Sequence, residues 1–184
     1  MASMAVHLVI DGYNLIGASL GLTGRAGPGR PSMEEERRAL VERLALYRRK
    51  RPGLRITVVF DAGRAGGLSR SRRMDSGIEV LFSRGGEEAD EVIAEMARAA
   101  GASLTVVSSD REVARSARSA GSVVLGSGEF HALLEEALYG GSEGLEPGDD
   151  DDGDLEKGPS TRKKGPSRRL PRHLRSKKRR LKKL

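Results

Sequence analysis

Short apolar runs alternate with longer amphipathic segments along the first 140 residues of the chain. The apolar runs are rich in β-branched residues, as buried strands are, whereas the amphipathic segments repeat their apolar positions at the spacing of a helix face. Strands that alternate with helices indicate an α/β fold, with a mostly parallel central sheet and helices on both faces. The pattern predicts strands at residues 6–10, 56–60, 78–82, 104–107 and 122–125, and helices at residues 32–51, 88–100, 111–120 and 129–138.

The connections between these elements carry more local signals. Gly12, directly after the first strand, predicts a tight turn at a point where a side chain would obstruct the chain. Residues 62–77 are rich in Gly, Ser and Arg and are predicted to form a loop. Ser32 and Glu35 have the spacing of a capping box, which predicts that the first helix begins there.

Charge is distributed unevenly along the chain, whose net charge is +7. Residues 1–142 contain 19 Lys or Arg and 18 Asp or Glu, so this part is nearly neutral. Residues 143–156 then contain eight acids and no base, and residues 157–184 contain fourteen bases and no acid. Because blocks of like charge are usually disordered and often bind partners, we predict a folded domain at 5–140 and a disordered tail at 141–184.

The composition also indicates a compartment. The chain contains no cysteine, which excludes a disulfide framework and a cysteine-based metal site. Its first residues lack the basic and apolar regions of a signal peptide, and no apolar run approaches the ~20 residues that span a bilayer. We therefore expect a cytoplasmic protein that does not act at a membrane.

Acidic residues follow several of the predicted strands. Asp11, Asp61 and Asp110 each end a strand, and Asp90 lies in the first turn of a helix. Because the carboxyl ends of parallel strands share one edge of a sheet, these carboxylates are predicted to lie close together, where their mutual repulsion favours a bound cation. Oxygen ligands without His or Cys suit Mg²⁺ or Mn²⁺, and such sites commonly hydrolyse phosphodiester bonds.

Each acid also has a purely structural interpretation. An aspartate after a strand is often a turn former or a helix cap, and Asp110 has the position of a cap for the helix that follows it. Asp61 precedes Ala62-Gly63 and has the context of a turn residue. The acids of residues 87–91 have the position to complement the positive end of a helix. Only their combination, in this order, favours a shared site.

Four segments together resemble the NYN domain of the YacP type, which has a PIN-like nuclease fold. The resemblance extends from about residue 6 to residue 138, and its most specific part is the opening Asp-Gly-Tyr-Asn. It implies a three-layer PIN-like domain and a metal-dependent endoribonuclease, in a family that includes a protein cleaving messenger RNA on the ribosome. The segments are Asp11-Gly12-Tyr13-Asn14-Leu15-Ile16, Val59-Phe60-Asp61, Glu88-Ala89-Asp90-Glu91-Val92-Ile93 and Ser108-Ser109-Asp110.

The resemblance also implies roles for particular residues. Asp11, Asp90 and Asp110 would bind the metal ion, Mg²⁺ or Mn²⁺, and Asn14 would order the catalytic site through its amide. Asp61 would be a further acid near the metal, with an open role. Two positions depart from the family pattern. Glu91 stands where the family often has Asp, and Arg111-Glu112 follows Asp110 where the family tends to have Glu-Gln a few residues on, which leaves the role of Glu112 open.

Basic residues near the acids, and others in the tail, are predicted to hold RNA. An acidic metal site needs cations nearby to hold the phosphate backbone of RNA. Because the chain has few aromatic residues for base stacking, contacts with this backbone should dominate RNA binding. The simpler interpretation of each arginine is a solvated surface position. The predicted RNA-binding residues are Arg64, Arg70, Arg72, Arg73 and Arg84 in the domain, and Lys177, Lys178, Arg179 and Arg180 in the tail.

Three functions remain open at this point. The first is a metal-dependent endoribonuclease acting on messenger or ribosomal RNA, with the ribosome as a possible partner. The second is a non-catalytic RNA- or ribosome-binding module on the same fold. The third, a phosphatase or other phosphoryl-transfer enzyme, has less support because no second Asp follows Asp11 by two residues and the chain has no P-loop.

Overall fold

The computed structural model describes residues 6–23, 31–62 and 66–140. None of the helices in these ranges is long and apolar enough to cross a membrane. The acidic and basic segments after residue 142 lie outside the described residues, and their predicted roles stay predictions. The elements are β1 (Val6–Asp11), α1 (Gly12–Thr23), α2 (Met33–Arg49), β2 (Leu54–Phe60), β3 (Ser71–Asp75), β4 (Ile78–Phe82), α3 (Ala89–Ala100), a 3-10 turn (Gly101–Ser103), β5 (Leu104–Val107), α4 (Arg111–Ser119), β6 (Val123–Leu125) and α5 (Ser127–Tyr139).

The six strands form one sheet in the order β3-β4-β2-β1-β5-β6. All neighbours are parallel except β3 and β4, which confirms the predicted α/β fold with a mostly parallel sheet. Asp11 lies opposite Val59 of β2, and Ile10 lies opposite Val107 of β5. The carboxyl ends of β1, β2 and β5 therefore meet at one edge.

Two hydrophobic cores lie on the two faces of the sheet. Ile10 and Phe60 contribute to the core against α1, α2 and α5, whereas Val9 and Val59 contribute to the core against α3 and α4. Since side chains alternate between faces along a strand, Asp11 lies on the same face as Val9. The acid at the end of β1 is thereby directed toward the side of α3 and α4.

The prediction of a loop at residues 62–77 was wrong for its second half. Strand β3 pairs with β4 as an antiparallel hairpin, with a turn in which Ser76 and Gly77 have φ values of 50° and 84°. The sequence of β3, SRRMD, is polar and mostly exposed at the edge of the sheet. It therefore lacks the apolar alternation by which a strand is detected in a sequence.

Helix α1 was not predicted and begins at Gly12, where a tight turn was expected, although a side chain at this position would be obstructed as predicted. Gly12 is the first residue of α1, and a Cβ atom there would lie 2.3 Å from the ring of Phe60. Close packing against this ring, instead of a tight turn, requires glycine. Helix α1 contains several glycines, which weaken its helical signal. It is held by burial of Leu15 and Ile16 in the core.

Candidate active site at the carboxyl edge of the sheet

Asp11 ends β1 as a buried carboxylate, with 8% of its surface exposed. Its Oδ1 accepts a hydrogen bond from the Asn14 N–H at 3.1 Å, and its Oδ2 accepts one from the Ser108 hydroxyl at 3.3 Å. Burial raises the pKa of Asp11, and the charge of Asp110 raises it further, although both hydrogen bonds oppose the shift. Two hydrogen bonds therefore hold the Asp11 carboxylate in place, but no described basic side chain balances its negative charge.

Asp110 caps helix α4, as its structural interpretation predicts. Its Oδ1 accepts hydrogen bonds from the backbone N–H groups of Glu112 at 2.7 Å and Val113 at 3.1 Å. The Asp110 N–H in turn donates to the hydroxyl oxygen of Ser108 at 3.1 Å. Ser108 thus links the acids at the ends of β1 and β5. Asp110 can cap the helix and also belong to the acidic site, because both cap bonds use Oδ1 of its carboxylate.

Asp90 lies in the first turn of α3 and is half-buried. Burial raises its pKa to about 6, and the charges of Asp11, Asp110, Glu88 and Glu112 add to the shift. The structure therefore brings Asp90 within electrostatic reach of the two strand-end aspartates. Among the residues that the structure describes, none of these three aspartates forms an ion pair.

Asn14 joins three connections at this edge. Its Oδ1 accepts hydrogen bonds from the Ser109 N–H at 3.0 Å and from the Ser127 hydroxyl at 2.6 Å. The Ser127 N–H donates to the Ser109 hydroxyl oxygen at 2.9 Å. The side chain of Asn14 therefore holds the start of α1 against the segment after β5 and the start of α5. This is the geometry of a positioning residue.

The three serines of this network were not predicted to have roles in the site. Ser108 and Ser109 belong to a motif that carries the family resemblance, so a signal for them was present in the sequence. Ser127 lies 113 residues from its partner Asn14, and no local pattern predicts that pairing.

Asp61 follows β2 on the same edge and is partly buried. Glu112, whose role the sequence left open, is among the carboxylates whose charge raises the pKa of Asp90, and so is Glu88. The acidic surroundings of Asp90 therefore come from the starts of α3 and α4 together with Asp11.

The chemistry of these carboxylates fits a hard divalent cation such as Mg²⁺ or Mn²⁺, which prefers oxygen ligands. The carboxylates do not, however, converge on a single position. Within residues 6–23, 31–62 and 66–140, no three Asp, Glu or His side chains form a group that could hold a metal ion as they stand. A Mg²⁺ ion bound here would take one or two of these carboxylates and complete its coordination with water.

Two of the arginines predicted to bind RNA are engaged by acids of the domain. Arg70 makes two hydrogen bonds with Glu87, at 2.9 and 2.7 Å, and a third with Glu95 at 2.6 Å. Arg72 forms an ion pair with Glu79 at 3.1 Å. Their charges are largely neutralised by these contacts, which the sequence did not predict.

The other predicted RNA-binding residues have varied surroundings. The Arg73 guanidinium lies over the ring of Phe82, 5.6 Å from its centroid. Arg84 is exposed, with its Nε 3.8 Å from a carboxylate oxygen of Glu87. The residues outside the described ranges are Arg64, Lys177, Lys178, Arg179 and Arg180.

The chain is similar to several known proteins. Residues 8–182 match the family model described as YacP-like NYN domain. A protein of Bacillus subtilis (strain 168), described as uncharacterized protein YacP, is 33% identical over 131 residues, which are 71% of this chain and 72% of that protein. The crystal structure of Rae1 (YacP) from Bacillus subtilis matches with a TM-score of 0.55 and 30% identity, over 71% of this chain and 74% of that one. A mutant of the same protein matches with a TM-score of 0.55 and 29% identity, over 71% and 75% of the two chains.

Proposed function

The chain belongs to the YacP-like NYN domain family, a family of nuclease-like domains, and we propose that it is a metal-dependent endoribonuclease that hydrolyses phosphodiester bonds in RNA. One observation carries the proposal. Asp11 and Asp90 are buried or half-buried carboxylates with raised pKa values and, among the described residues, no basic partner. Carboxylates with raised pKa values cluster at functional sites, and a bound cation would compensate for the charge of these two.

Asp11, Asp90 and Asp110 are the residues that would hold a Mg²⁺ or Mn²⁺ ion. A bound divalent ion would supply an activated water and would stabilise the charge that develops on the leaving oxygen. Ser108 links the carboxylate of Asp11 to the backbone N–H of Asp110. Asn14 fixes the segments that carry them.

Protonation of Asp90 couples cation binding to pH. Its pKa of about 6 leaves a fraction of the side chain protonated near neutral pH when no cation is bound. Since a cation binds the ionised carboxylate, binding releases that proton. Activity should therefore fall as the pH drops below about 6.

The substrate that the family resemblance implies is messenger RNA on the ribosome, and this forms part of the proposal. The basic segment at residues 157–184, with fourteen bases and no acid, supports an anionic partner. Ribosomal RNA is a second partner of the same chemistry.

A non-catalytic RNA- or ribosome-binding module is the second candidate function. It is favoured by the absence, in the described part of the chain, of three acids placed to hold a metal ion. It predicts binding of RNA without cleavage in either metal, with or without ribosomes.

Cleavage by matched carboxylate-to-amide variants separates the two functions. We expect Asp90→Asn to lower Mg²⁺- or Mn²⁺-dependent cleavage of RNA at least about 100-fold, since it removes a metal ligand while keeping the shape of the side chain. Asp75→Asn, at the β3–β4 hairpin far along the sheet from β5, is the control and should cleave normally. Undiminished cleavage by Asp90→Asn would overturn the assignment of the site.

A further inference from the structure

Helix α4 carries three arginines on one side. Arg111, Arg115 and Arg118 are spaced by four and three residues, which places them on one face of the helix. All three are exposed, and none forms an ion pair with any residue that the structure describes. They differ in this from Arg70 and Arg72. We call these three residues the α4 arginine row.

A cleft of about 630 Å³ contains the α4 arginine row in its lining. The same cleft is lined by Asp110 of the acidic edge, by Ser108 and Ser109, and by Val124 of the outermost strand β6. It therefore begins at the candidate active site and follows α4, along which the row spans roughly 10 Å at 1.5 Å per residue.

We propose that this cleft is the path along which the phosphate backbone of single-stranded RNA reaches the acidic edge, with the α4 arginine row as its phosphate contacts. The inference rests on the proposed function and adds the route of the substrate. Arginine presents a planar fork of donors that matches phosphate oxygens. A single row of cations along one helix suits a single strand of RNA. Because the same cleft includes Asp110, an RNA strand bound along the row would reach the acidic edge.

The charge balance of the site supports this route. A negatively charged backbone is repelled by Asp11, Asp90 and Asp110 unless cations flank them. Arg70, which the sequence suggested for this task, is engaged by Glu87 and Glu95. The α4 arginine row therefore supplies cations next to Asp110, and no described acid forms an ion pair with these arginines.

Two double variants of the full chain test the route. Arg115→Gln with Arg118→Gln removes the two row members farther from Asp110, and Arg48→Gln with Arg49→Gln removes the same charge from two exposed positions of α2 on the opposite face of the sheet. Glutamine is a good helix former, so both helices should persist, which far-UV circular dichroism checks. Each pair is made in an Asp90→Asn background so that the RNA stays intact.

The measurement is fluorescence anisotropy of a labelled single-stranded oligouridine at several KCl concentrations. We expect the α4 variant to bind roughly tenfold more weakly than the α2 variant. Its slope of log K against log salt should also be smaller by about 1.4, since each phosphate contact to a single strand contributes about 0.7. Equal losses in both variants would overturn the route, because the attraction would then come from net charge alone.

Cleavage by the same double variants, without Asp90→Asn, keeps the two proposals distinguishable. With both proposals correct, the α4 variant has a raised KM and a retained kcat. If no protein cleaves RNA but the α4 variant alone binds weakly, the nuclease is wrong and the RNA path stands. If the parent cleaves and both double variants bind RNA equally, the path is wrong and the nuclease stands.

Discussion

Two groups of buried carboxylates lie in this domain with opposite electrostatic states. Glu79 and Glu87 are about as buried as Asp11, with 6%, 5% and 8% of their surfaces exposed. The pKa of Glu87 is lowered to about 2, chiefly by hydrogen bonds from Arg70 and also from the Arg84 N–H. The pKa values of Asp11 and Asp90 are raised instead.

Burial therefore does not distinguish the two groups, and a neighbouring cation does. Burial acts to raise the pKa of Glu79, but hydrogen bonds from Thr57 and Arg55 and the charge of Arg72 outweigh it. The domain thus provides its own arginines for the acids that only stabilise the fold. Asp11 and Asp110 instead receive hydroxyl and N–H donors, and among the described residues no basic side chain forms an ion pair with either of them or with Asp90. From this difference we infer that the three aspartates bind an external cation.

The same carboxylate-to-amide change should have opposite effects in the two groups. We expect Glu87→Gln to lower the free energy of unfolding by about 1 to 2 kcal/mol, since it weakens charge-assisted hydrogen bonds with Arg70. Urea denaturation at pH 7.5 measures the loss. It should shrink as the pH falls from 4.5 toward 2, because the folded-state pKa of Glu87 lies below its ordinary value. Unchanged stability would mean that the Arg70 pair contributes nothing.

The matching change in the acidic edge should stabilise the protein slightly. Without added metal, Asp90→Asn should raise the thermal midpoint at pH 7.5, because it removes a charge that burial and four neighbouring acids disfavour. The gain should be small, since Asp90 is half-exposed and solvent screens the repulsion. The gain should level off above the folded-state pKa of about 6, shrink as the pH falls from there toward 3.8, and vanish below 3.8, where the side chain is protonated in both states. A lowered midpoint at pH 7.5 would contradict the electrostatic contrast between the two groups.

The sequence predicted the fold class and the positions of the acids, because apolar runs and strand ends are local signals. It did not predict β3, whose polar residues lack alternation, or α1, whose glycines obscure a helix held by burial. The sequence also did not predict which acids have an arginine or a serine as their partner. The Arg70–Glu87 pair spans 17 residues and the Ser127–Asn14 bond spans 113, so both depend on how the chain folds.

The spacing of the α4 arginine row is visible in the sequence, but its significance is not. The row gains its role from the cleft beside β6 and from the engagement of the other arginines by acids. Both are properties of the folded chain.

The most direct test of the central claim is where a paramagnetic cation binds. Titration of the full, ¹⁵N-labelled chain with Mn²⁺ should first broaden the amide signals of Asn14, Glu112 and Val113, whose N–H groups bond to Asp11 and Asp110. The amide of Glu79, at the opposite end of β4 and paired through its side chain with Arg55 and Arg72, should stay sharp at the same Mn²⁺ concentration. Asp90→Asn should abolish the selective broadening. Equal broadening at both groups of acids, or broadening unchanged by Asp90→Asn, would contradict a cation site at the carboxyl edge.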